Sequence, residues 1–363
     1  MEIVRLFGMM VKHDASDLHV KVGQPPVFRV AGQLSRMQNV GPLTPDQTRA
    51  LLEPILSPDQ LEMLQQRGNV DFAWYQEDVG RFRCNVFLQR GYLSAAIRKV
   101  NLEIPSYQKL NLPANIKKCA EYEAGLVLIG GVTGSGKSTT LATILNDINE
   151  HRRCHILTIE DPIEYLFEDK LGIVNQREIG IDVMDFKDAL RAAVRQDPDV
   201  MLVGEMRDAE TFETALTAAE TGHLVFGTIH SSGAAQTIGR ILDLFPEEKH
   251  EQIRTALAFN MRAVFNQKLL RAKEKSLGRV PAVEIMFNTP IVRKLIMEGN
   301  DKRLHDAIQA DTENGCETFN QVLARLVKEG MVTQEVALKA SPNSEELRMA
   351  MSGISISDAG GIV

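Results

Sequence analysis

Hydrophobic and polar positions follow two different patterns along the chain. In the first region, apolar and polar side chains alternate in short runs at residues 27–30, 71–75, 81–87 and 94–98. A period of two is typical of half-buried strands in an antiparallel sheet. Between the first two runs, residues 45–66 have helical spacing. This region, residues 1–103, is therefore predicted to be a small α+β domain.

The pattern changes after a Pro-containing segment at residues 104–115, which we interpret as a linker. Continuous apolar runs of strand length occur at residues 126–129, 155–159, 200–203 and 224–229, with helical spacing between them. Repeated strand–helix units predict a parallel sheet with helices on its faces. Residues 247–350 have mostly helical periodicity, with one further strand expected at 280–285. We assign 116–350 to this second domain and expect residues 351–363 to form a flexible tail.

Composition excludes several classes of protein. The apolar share of 44% and the charged share of 25% are ordinary for a globular protein with a sizeable core. A net charge of −7 argues against a nucleic-acid partner. No apolar run approaches the roughly 20 residues that span a bilayer, and the N-terminus lacks a signal-peptide pattern, so we expect a cytoplasmic protein. The four cysteines form no C-x-x-C pair, which predicts neither zinc nor a disulfide framework.

One motif has a specific chemistry. Residues 131–138 read Gly-Val-Thr-Gly-Ser-Gly-Lys-Ser, the complete phosphate-binding loop, between a predicted buried strand and a helix. Its backbone N–H groups can curl around phosphate oxygens at a helix N-terminus. Lys137 would reach the β- and γ-phosphates of ATP, and the Ser138 hydroxyl would ligate Mg²⁺. The predicted ATP-binding residues are Gly131, Thr133, Gly134, Ser135, Gly136, Lys137, Ser138 and Thr139.

Polar residues end the next three predicted strands, and the carboxyl ends of parallel strands line the ligand crevice. Glu160, Glu205 and His230 should therefore converge on the triphosphate. Phosphoryl transfer to water needs support for the metal ion and a group that orients the water. We expect Glu205 to support Mg²⁺ and Glu160 to activate water; either could instead be a surface acid. His223 begins its strand, so position alone predicts the opposite rim and a structural role.

Several segments beyond the phosphate loop resemble the secretion-superfamily ATPases, most closely the pilus retraction ATPases of the PilT type. The resemblance covers nearly the whole chain, and residues 16–26 look like the start of the family's PAS-like domain. The other segments on which the resemblance rests are residues 159–164 (Ile-Glu-Asp-Pro-Ile-Glu, the Asp box), 189–199, 204–208 (Gly-Glu-Met-Arg-Asp, the Walker B motif) and 221–230 (the His box). The fold that this resemblance implies is α/β, with a C-terminal RecA-like P-loop ATPase domain and a smaller N-terminal PAS-like α+β domain.

The resemblance also implies a mechanism and partners. The family forms homohexameric rings in which ATP binds between domains, with Glu160 as general base, Glu205 as the Walker B carboxylate and both histidines important. Arginines of the N-terminal domain close over the phosphates, and Arg83 and Arg98 occupy the matching strands; read alone, they would be solvated charges. The implied partners are an inner-membrane pilus platform protein, which would hold the protein at the cytoplasmic face of that membrane, and a second retraction ATPase.

Two departures keep alternatives open. The family's Ala-Ile-Arg-Asn-Leu signature is replaced by Ile-Val-Arg-Lys-Leu at residues 291–295, and residues 266–268 read Asn-Gln-Lys where Ser-Gln-Thr is usual. The absence of a tetracysteine motif favours retraction over assembly. The predicted function is a motor ATPase for type IV pilus retraction and twitching motility. The alternatives are a PilU-like accessory or regulatory ATP-binding module, or an assembly or secretion ATPase.

Overall fold

The computed structural model divides into two compact units, Met1–Glu103 and Ile104–Val363. It describes residues 2–30, 32–100, 103–352, 356–357 and 361–362. Most of the tail expected at residues 351–363 lies outside the described residues. The described part of that segment contains the end of a helix and a pair of two-residue strands, Ile356–Ser357 and Gly361–Ile362.

The N-terminal unit has three α-helices and one antiparallel sheet among its described residues. In chain order the elements are α1 (Ile3–Lys12), β1 (Ala15–Val20), β2 (Val27–Val30), β3 (Gln33–Arg36), α2 (Pro45–Leu52), α3 (Pro58–Arg67), β4 (Asn69–Gln76), β5 (Gly80–Gln89) and β6 (Tyr92–Val100). The strand order is β3-β2-β1-β6-β5-β4. All four alternating runs lie in strands, which confirms the predicted α+β class of this region.

The helical segment expected at residues 45–66 is two helices. Thr44 and Ser57 each accept a hydrogen bond from the backbone N–H three residues later, and a glutamine at that position reciprocates. Each cap is followed by a proline, Pro45 or Pro58, at the first helical position. Proline has no N–H to donate and fits only the first turn, so the second cap ends the first helical segment and begins a new helix.

The second unit contains a seven-stranded sheet flanked by helices. Its elements are α4 (Lys118–Glu121), β7 (Gly125–Gly130), α5 (Lys137–His151), β8 (His155–Glu160), β9 (Ile173–Glu178), α6 (Phe186–Ala193), β10 (Val200–Val203), α7 (Ala209–Glu220), β11 (Leu224–Ile229), α8 (Ala234–Leu242), α9 (His250–Asn260), β12 (Met261–Arg271), β13 (Arg279–Phe287), α10 (Pro290–Met297), α11 (Leu304–Ala310), α12 (Phe319–Lys328), α13 (Gln334–Ala340) and α14 (Ser344–Met351). The pair of short strands in the tail are β14 and β15.

The sheet order is β13-β12-β7-β11-β10-β8-β9, with only the β12–β13 pair antiparallel. The four predicted apolar runs form β7, β8, β10 and β11, almost entirely buried. The expectation of helix over most of residues 247–350 was wrong for Met261–Arg271, which is a strand. That segment pairs on both sides, with β7 and β13, and sheet pairing overrides the helical pattern of the residues before it.

The topology places four strands side by side, in the order β7, β11, β10, β8, all running in the same direction. Their carboxyl ends therefore share one edge of the sheet, spaced by roughly 4.8 Å per strand. The residues that come directly after β7, β11, β10 and β8 are therefore brought together at this edge. Among the described residues, no helix is long and apolar enough to cross a membrane.

Candidate functional site

The phosphate-binding loop follows β7 and leads directly into α5. Gly136 is the residue before the helix, in the left-handed region with φ +90°, and no side chain caps the first turn. The backbone N–H groups of that turn are consequently available to donate to a bound ligand, and the helix dipole favours an anion at this position. The loop predicted from the sequence thus has the local structure that phosphate binding requires.

Two of the loop glycines are required by their surroundings. A Cβ on Gly131, which has φ +142°, would lie 2.6 Å from the Gln267 carbonyl oxygen and 2.6 Å from Ser135 Oγ. A Cβ on Gly136 would lie 2.7 Å from Gln267 Nε2. Gln267 itself joins the loop to the helix, since its Nε2 donates to Ser135 O and its Oε1 accepts from Thr140 Oγ1, each at 2.8 Å. The middle of β12 therefore holds the loop in shape.

Lys137 is folded back onto the loop. Its Nζ donates to the backbone carbonyls of Gly131 at 2.9 Å and Val132 at 3.2 Å. Burial lowers the pKa of Lys137, and the nearby carboxylates of Glu205 and Glu164 oppose that shift. The ammonium group is thus held at the loop, within the field of the two carboxylates.

Glu205 follows β10 and is held from two sides. Arg207 Nη2 donates to Glu205 Oε2 at 2.6 Å, and His230 Nε2, from the end of β11, lies 2.8 Å from Glu205 Oε1. The Arg207 hydrogen bond, with the charges of Arg207, His230 and Lys137, lowers the pKa of Glu205 against the opposing effect of burial. Glu205 is therefore ionised at neutral pH.

Glu160 ends β8 and has the opposite environment. The residue is 8% exposed, and burial raises the pKa of its carboxyl. Thr158 Oγ1 donates to Glu160 Oε1 at 2.7 Å, and Gln176 Nε2 donates to the same oxygen at 3.2 Å. Two carboxylates whose environments move their pKa values apart can divide the work, with the raised one exchanging protons and the lowered one holding positive charge.

These residues line one cavity of about 480 Å³. Most of the loop and the start of its helix line it, together with Glu160, Glu205 and His230. Sequence reasoning assigned no role to several other lining residues: Asp161, Glu164, Tyr165, Phe167, Arg207 and Arg279. Arg207 lies inside the Walker B segment and could have been found there, since an arginine two residues from a strand-end carboxylate can pair with it. The segment 161–167 has no periodicity that predicts its return over the loop.

The arrangement fits a divalent cation bound together with phosphate. Glu205 Oε1 is buried and, despite the nearby His230 ring, accepts no well-aligned hydrogen bond from any residue that the structure describes. The Ser138 side chain lines the same cavity. Oxygen donors of this kind suit Mg²⁺, which usually keeps substrate phosphates and waters as its other ligands. Within the described ranges, no group of three or more His, Cys, Asp and Glu side chains could hold a metal ion by itself.

The remaining predicted site residues are not among those that line this cavity. His223 precedes β11, at the opposite edge of the sheet, where its Nδ1 lies 2.9 Å from the carbonyl oxygen of Ala218. Arg83 and Arg98 belong to the N-terminal unit and are directly paired across β5 and β6. Arg98 Nε donates to Asp17 Oδ1 at 2.9 Å, although 69% of the Arg98 side chain is exposed.

Comparison with known proteins gives consistent findings. The family model described as "Type II/IV secretion system protein" matches residues 93–349. The type IV pilus retraction ATPase PilT of Pseudomonas aeruginosa is 43% identical over 337 residues, 93% of this chain and 97% of that protein. The type IV pilus ATPase PilU of the same organism is 36% identical over 99% of this chain and 94% of its own. A crystal structure of the pilus retraction motor PilT with bound ADP has a TM-score of 0.91 at 44% identity, covering 96% and 99% of the two chains.

Proposed function

Because the chain belongs to the type II/IV secretion system protein family, we propose that it is a motor ATPase that powers type IV pilus retraction and twitching motility. The observation that carries the proposal is that one cavity is lined by most of the phosphate-binding loop and by two carboxylates whose pKa values are shifted in opposite directions. The likeness to PilT extends over both units, so the proposal concerns the whole chain.

The chain's own side chains divide the hydrolysis of ATP as follows. The loop N–H groups and Lys137 bind the β- and γ-phosphates and neutralise charge in the transition state. Glu160, buried and with a raised pKa, orients the attacking water and accepts its proton. Glu205 and the Ser138 hydroxyl would hold Mg²⁺, which would supply positive charge to neutralise the phosphates. His230 lies against Glu205 in the cavity and contacts the γ-phosphate.

Conversion of hydrolysis into movement requires more than this cavity. We infer that six copies form a ring, and that Arg83 and Arg98 close over the phosphates of ATP when the domains rotate. An arginine that arrives only on closure stabilises transition-state charge and so couples hydrolysis to motion. We infer that the ring acts at the cytoplasmic face of the inner membrane, with a pilus platform protein as partner. His223, remote from the phosphate loop, would act in that coupling.

The decisive biochemical experiment compares phosphate release by the purified protein with that of Glu160→Gln and Lys137→Ala. The wild type should release phosphate continuously from Mg-ATP. Glu160→Gln should bind a fluorescent ATP analogue normally but hydrolyse ATP at least about a hundredfold more slowly, since general bases contribute roughly 10²–10⁴. Lys137→Ala should lose both the binding of the ATP analogue and the hydrolysis of ATP. Equal turnover in wild type and Glu160→Gln would refute Glu160 as the base.

A PilU-like accessory role is the second candidate, favoured by the altered signature at residues 291–295 and by the match to PilU along 99% of the chain. The two roles differ in what the cell loses. Deletion of a retraction motor should abolish twitching and leave excess surface pili. An accessory ATPase should leave residual retraction that a second motor drives. Cells without pili would instead indicate an assembly ATPase.

A further inference from the structure

We propose that Gln176, in the middle of the edge strand β9, is the positioning residue that orients the Glu160 carboxylate for water activation. The inference rests on the proposed function, in which Glu160 is the general base. It assigns Gln176 no contact with ATP, because the glutamine lies behind Glu160 and does not line the cavity.

The Gln176 side-chain amide bonds to three groups, namely the Glu160 carboxylate at the end of β8 and two backbone groups of the segment that follows that strand. Its Nε2 donates to Glu160 Oε1 at 3.2 Å and to the carbonyl of Tyr165 at 2.8 Å. Its Oε1 accepts from the N–H of Phe167 at 2.9 Å. One planar amide thus ties the carboxylate to the segment that returns over the phosphate-binding loop.

That segment also touches the loop helix. The Tyr165 hydroxyl lies 3.0 Å from Thr139 Oγ1, and Thr139 is the residue after Ser138, the proposed Mg²⁺ ligand. Gln176 therefore lies between the base and the phosphate-binding helix in a chain of hydrogen bonds. A change in the position of the segment would be passed directly to the Glu160 carboxylate.

The groups that face Glu160 define what Gln176 contributes. Thr158, on the same strand, donates to Oε1, and the N–H of Glu164 also hydrogen-bonds to the carboxylate. The Glu164 side chain is the charged group whose field acts on Glu160, and it raises the pKa of Glu160 together with burial. The same cavity is also lined by Lys137, Glu205, His230, Asp161, Arg207 and Arg279. The two side-chain donors oppose burial by favouring the ionised form.

The consequence concerns the hydrolysis step. When a water oxygen attacks the γ-phosphorus and the bond to ADP breaks, the water proton passes to Glu160, which must be ionised beforehand. Thr158 and Gln176 engage Oε1 and so fix the orientation of the carboxylate that takes this proton. Loss of the Gln176 donor should both loosen this orientation and disfavour the ionised carboxylate.

The test is single-turnover hydrolysis of Mg-ATP by the full-length protein across the pH range in which it stays folded. For Gln176→Leu we expect a rate about tenfold lower at neutral pH, because small misplacements of reacting groups are costly. The acidic limb of the rate–pH profile should move to higher pH by about one pH unit, because loss of a hydrogen bond to the Glu160 carboxylate raises the pKa of that group. ATP affinity should change less than the rate.

Three variants make the outcome specific. Gln176→Glu keeps the acceptor for Phe167 N–H but replaces the donor with a like charge, so its acidic limb should move further. Thr158→Val removes the other side-chain donor with little change of shape and should move the acidic limb in the same direction. Asn175→Leu replaces an exposed amide one position away on β9 and should leave rate and limb at wild-type values.

The outcomes separate this inference from the proposed function. If Glu160→Gln retains wild-type turnover, Glu160 is not the base and the proposed function of the site fails. If Glu160→Gln is inactive while Gln176→Leu and Thr158→Val keep the wild-type acidic limb, the positioning role of Gln176 is overturned. Should Gln176→Leu fail to fold by circular dichroism, the profiles of Gln176→Glu and Thr158→Val decide.

Discussion

Glu284 is a buried carboxylate that holds the first turns of two helices. It lies on β13 with 5% exposure. Its Oε2 accepts from the N–H of Ala234, which begins α8 just after the His230 loop, at 2.5 Å, and its Oε1 accepts from the N–H of Phe319, which begins α12, at 3.3 Å. We predict that Glu284→Gln weakens one of these two helix starts, because an amide offers only one acceptor oxygen.

The two distances indicate which helix start is weakened. The single oxygen of the substituted side chain should remain on the shorter bond, to Ala234, which turns the new NH₂ group toward the Phe319 N–H. A buried donor without an acceptor costs about 1–3 kcal/mol, which corresponds to a factor of roughly 5–150 in the opening equilibrium. Native-state hydrogen exchange should accordingly show faster exchange in the first turn of α12, with that of α8 largely preserved.

The partly exposed pair of Glu213 and Lys249 provides the control, since Glu213→Gln should change exchange by well under tenfold. Burial raises the pKa of Glu284 against the opposing backbone N–H bonds from Ala234 and Phe319. The folded state then holds the proton more tightly, so this contribution to stability is complete below the unfolded pKa of about 4.3 and is lost as pH rises through the folded pKa. Unchanged exchange at Phe319 and Ala234 in Glu284→Gln would refute the reasoning.

Three further changes have expected outcomes. Gly136→Ala should abolish binding of a fluorescent ATP analogue, since its Cβ would meet Gln267 Nε2 in a left-handed backbone; a wild-type affinity would contradict this. Asp301→Asn should lower the free energy of unfolding in urea by about 1–3 kcal/mol, because it breaks the bidentate pair with Arg254, and a loss below that range would show the pair to be solvated. Ser57→Ala should cost about 1 kcal/mol, seen as a lower midpoint of Trp74 fluorescence in urea, and no shift would mean that α3 does not need its capping box.

Local patterns predicted most of the sheet that carries the site. The runs at β7, β8, β10 and β11 are continuously apolar because each strand is covered on both faces, and this signal needs no knowledge of the fold. Asp185 and Asp208 are of a residue type that favours helix N-caps, and each accepts the N–H three residues later. In such cases the interaction lies within a few residues of the chain, so the sequence contains it.

The elements that were missed depend on distant partners. β9 is short and polar, with a sequence Ile-Val-Asn-Gln-Arg-Glu, and is a strand because it pairs with β8. β12 carries Asn266 and Gln267 in its buried middle, where they bind Ser231 and the phosphate loop. α1 begins without a side-chain cap, and its stability comes from burial of Leu6, Phe7 and Met10. The strand pairing of β9 and the contacts of β12 are not visible in a local window, whereas the buried residues of α1 follow a helical spacing that the sequence contains.

For this protein, the sequence by itself determined the phosphate-binding loop, the strands around it and the strand-end residues Glu160, Glu205 and His230. Spacing and residue type sufficed, because the buried strand, the glycine loop and the start of the helix are consecutive in the chain and together form a specific motif. Only the tertiary structure decided the environments of the two carboxylates, because it places Arg207 beside Glu205 and Gln176 behind Glu160. The pKa values of Glu160 and Glu205 shift in opposite directions because the two carboxyl groups differ in burial and in hydrogen-bonding partners. Sheet pairing and the segment that returns over the loop bring those partners together, and no local sequence pattern specifies the resulting distances.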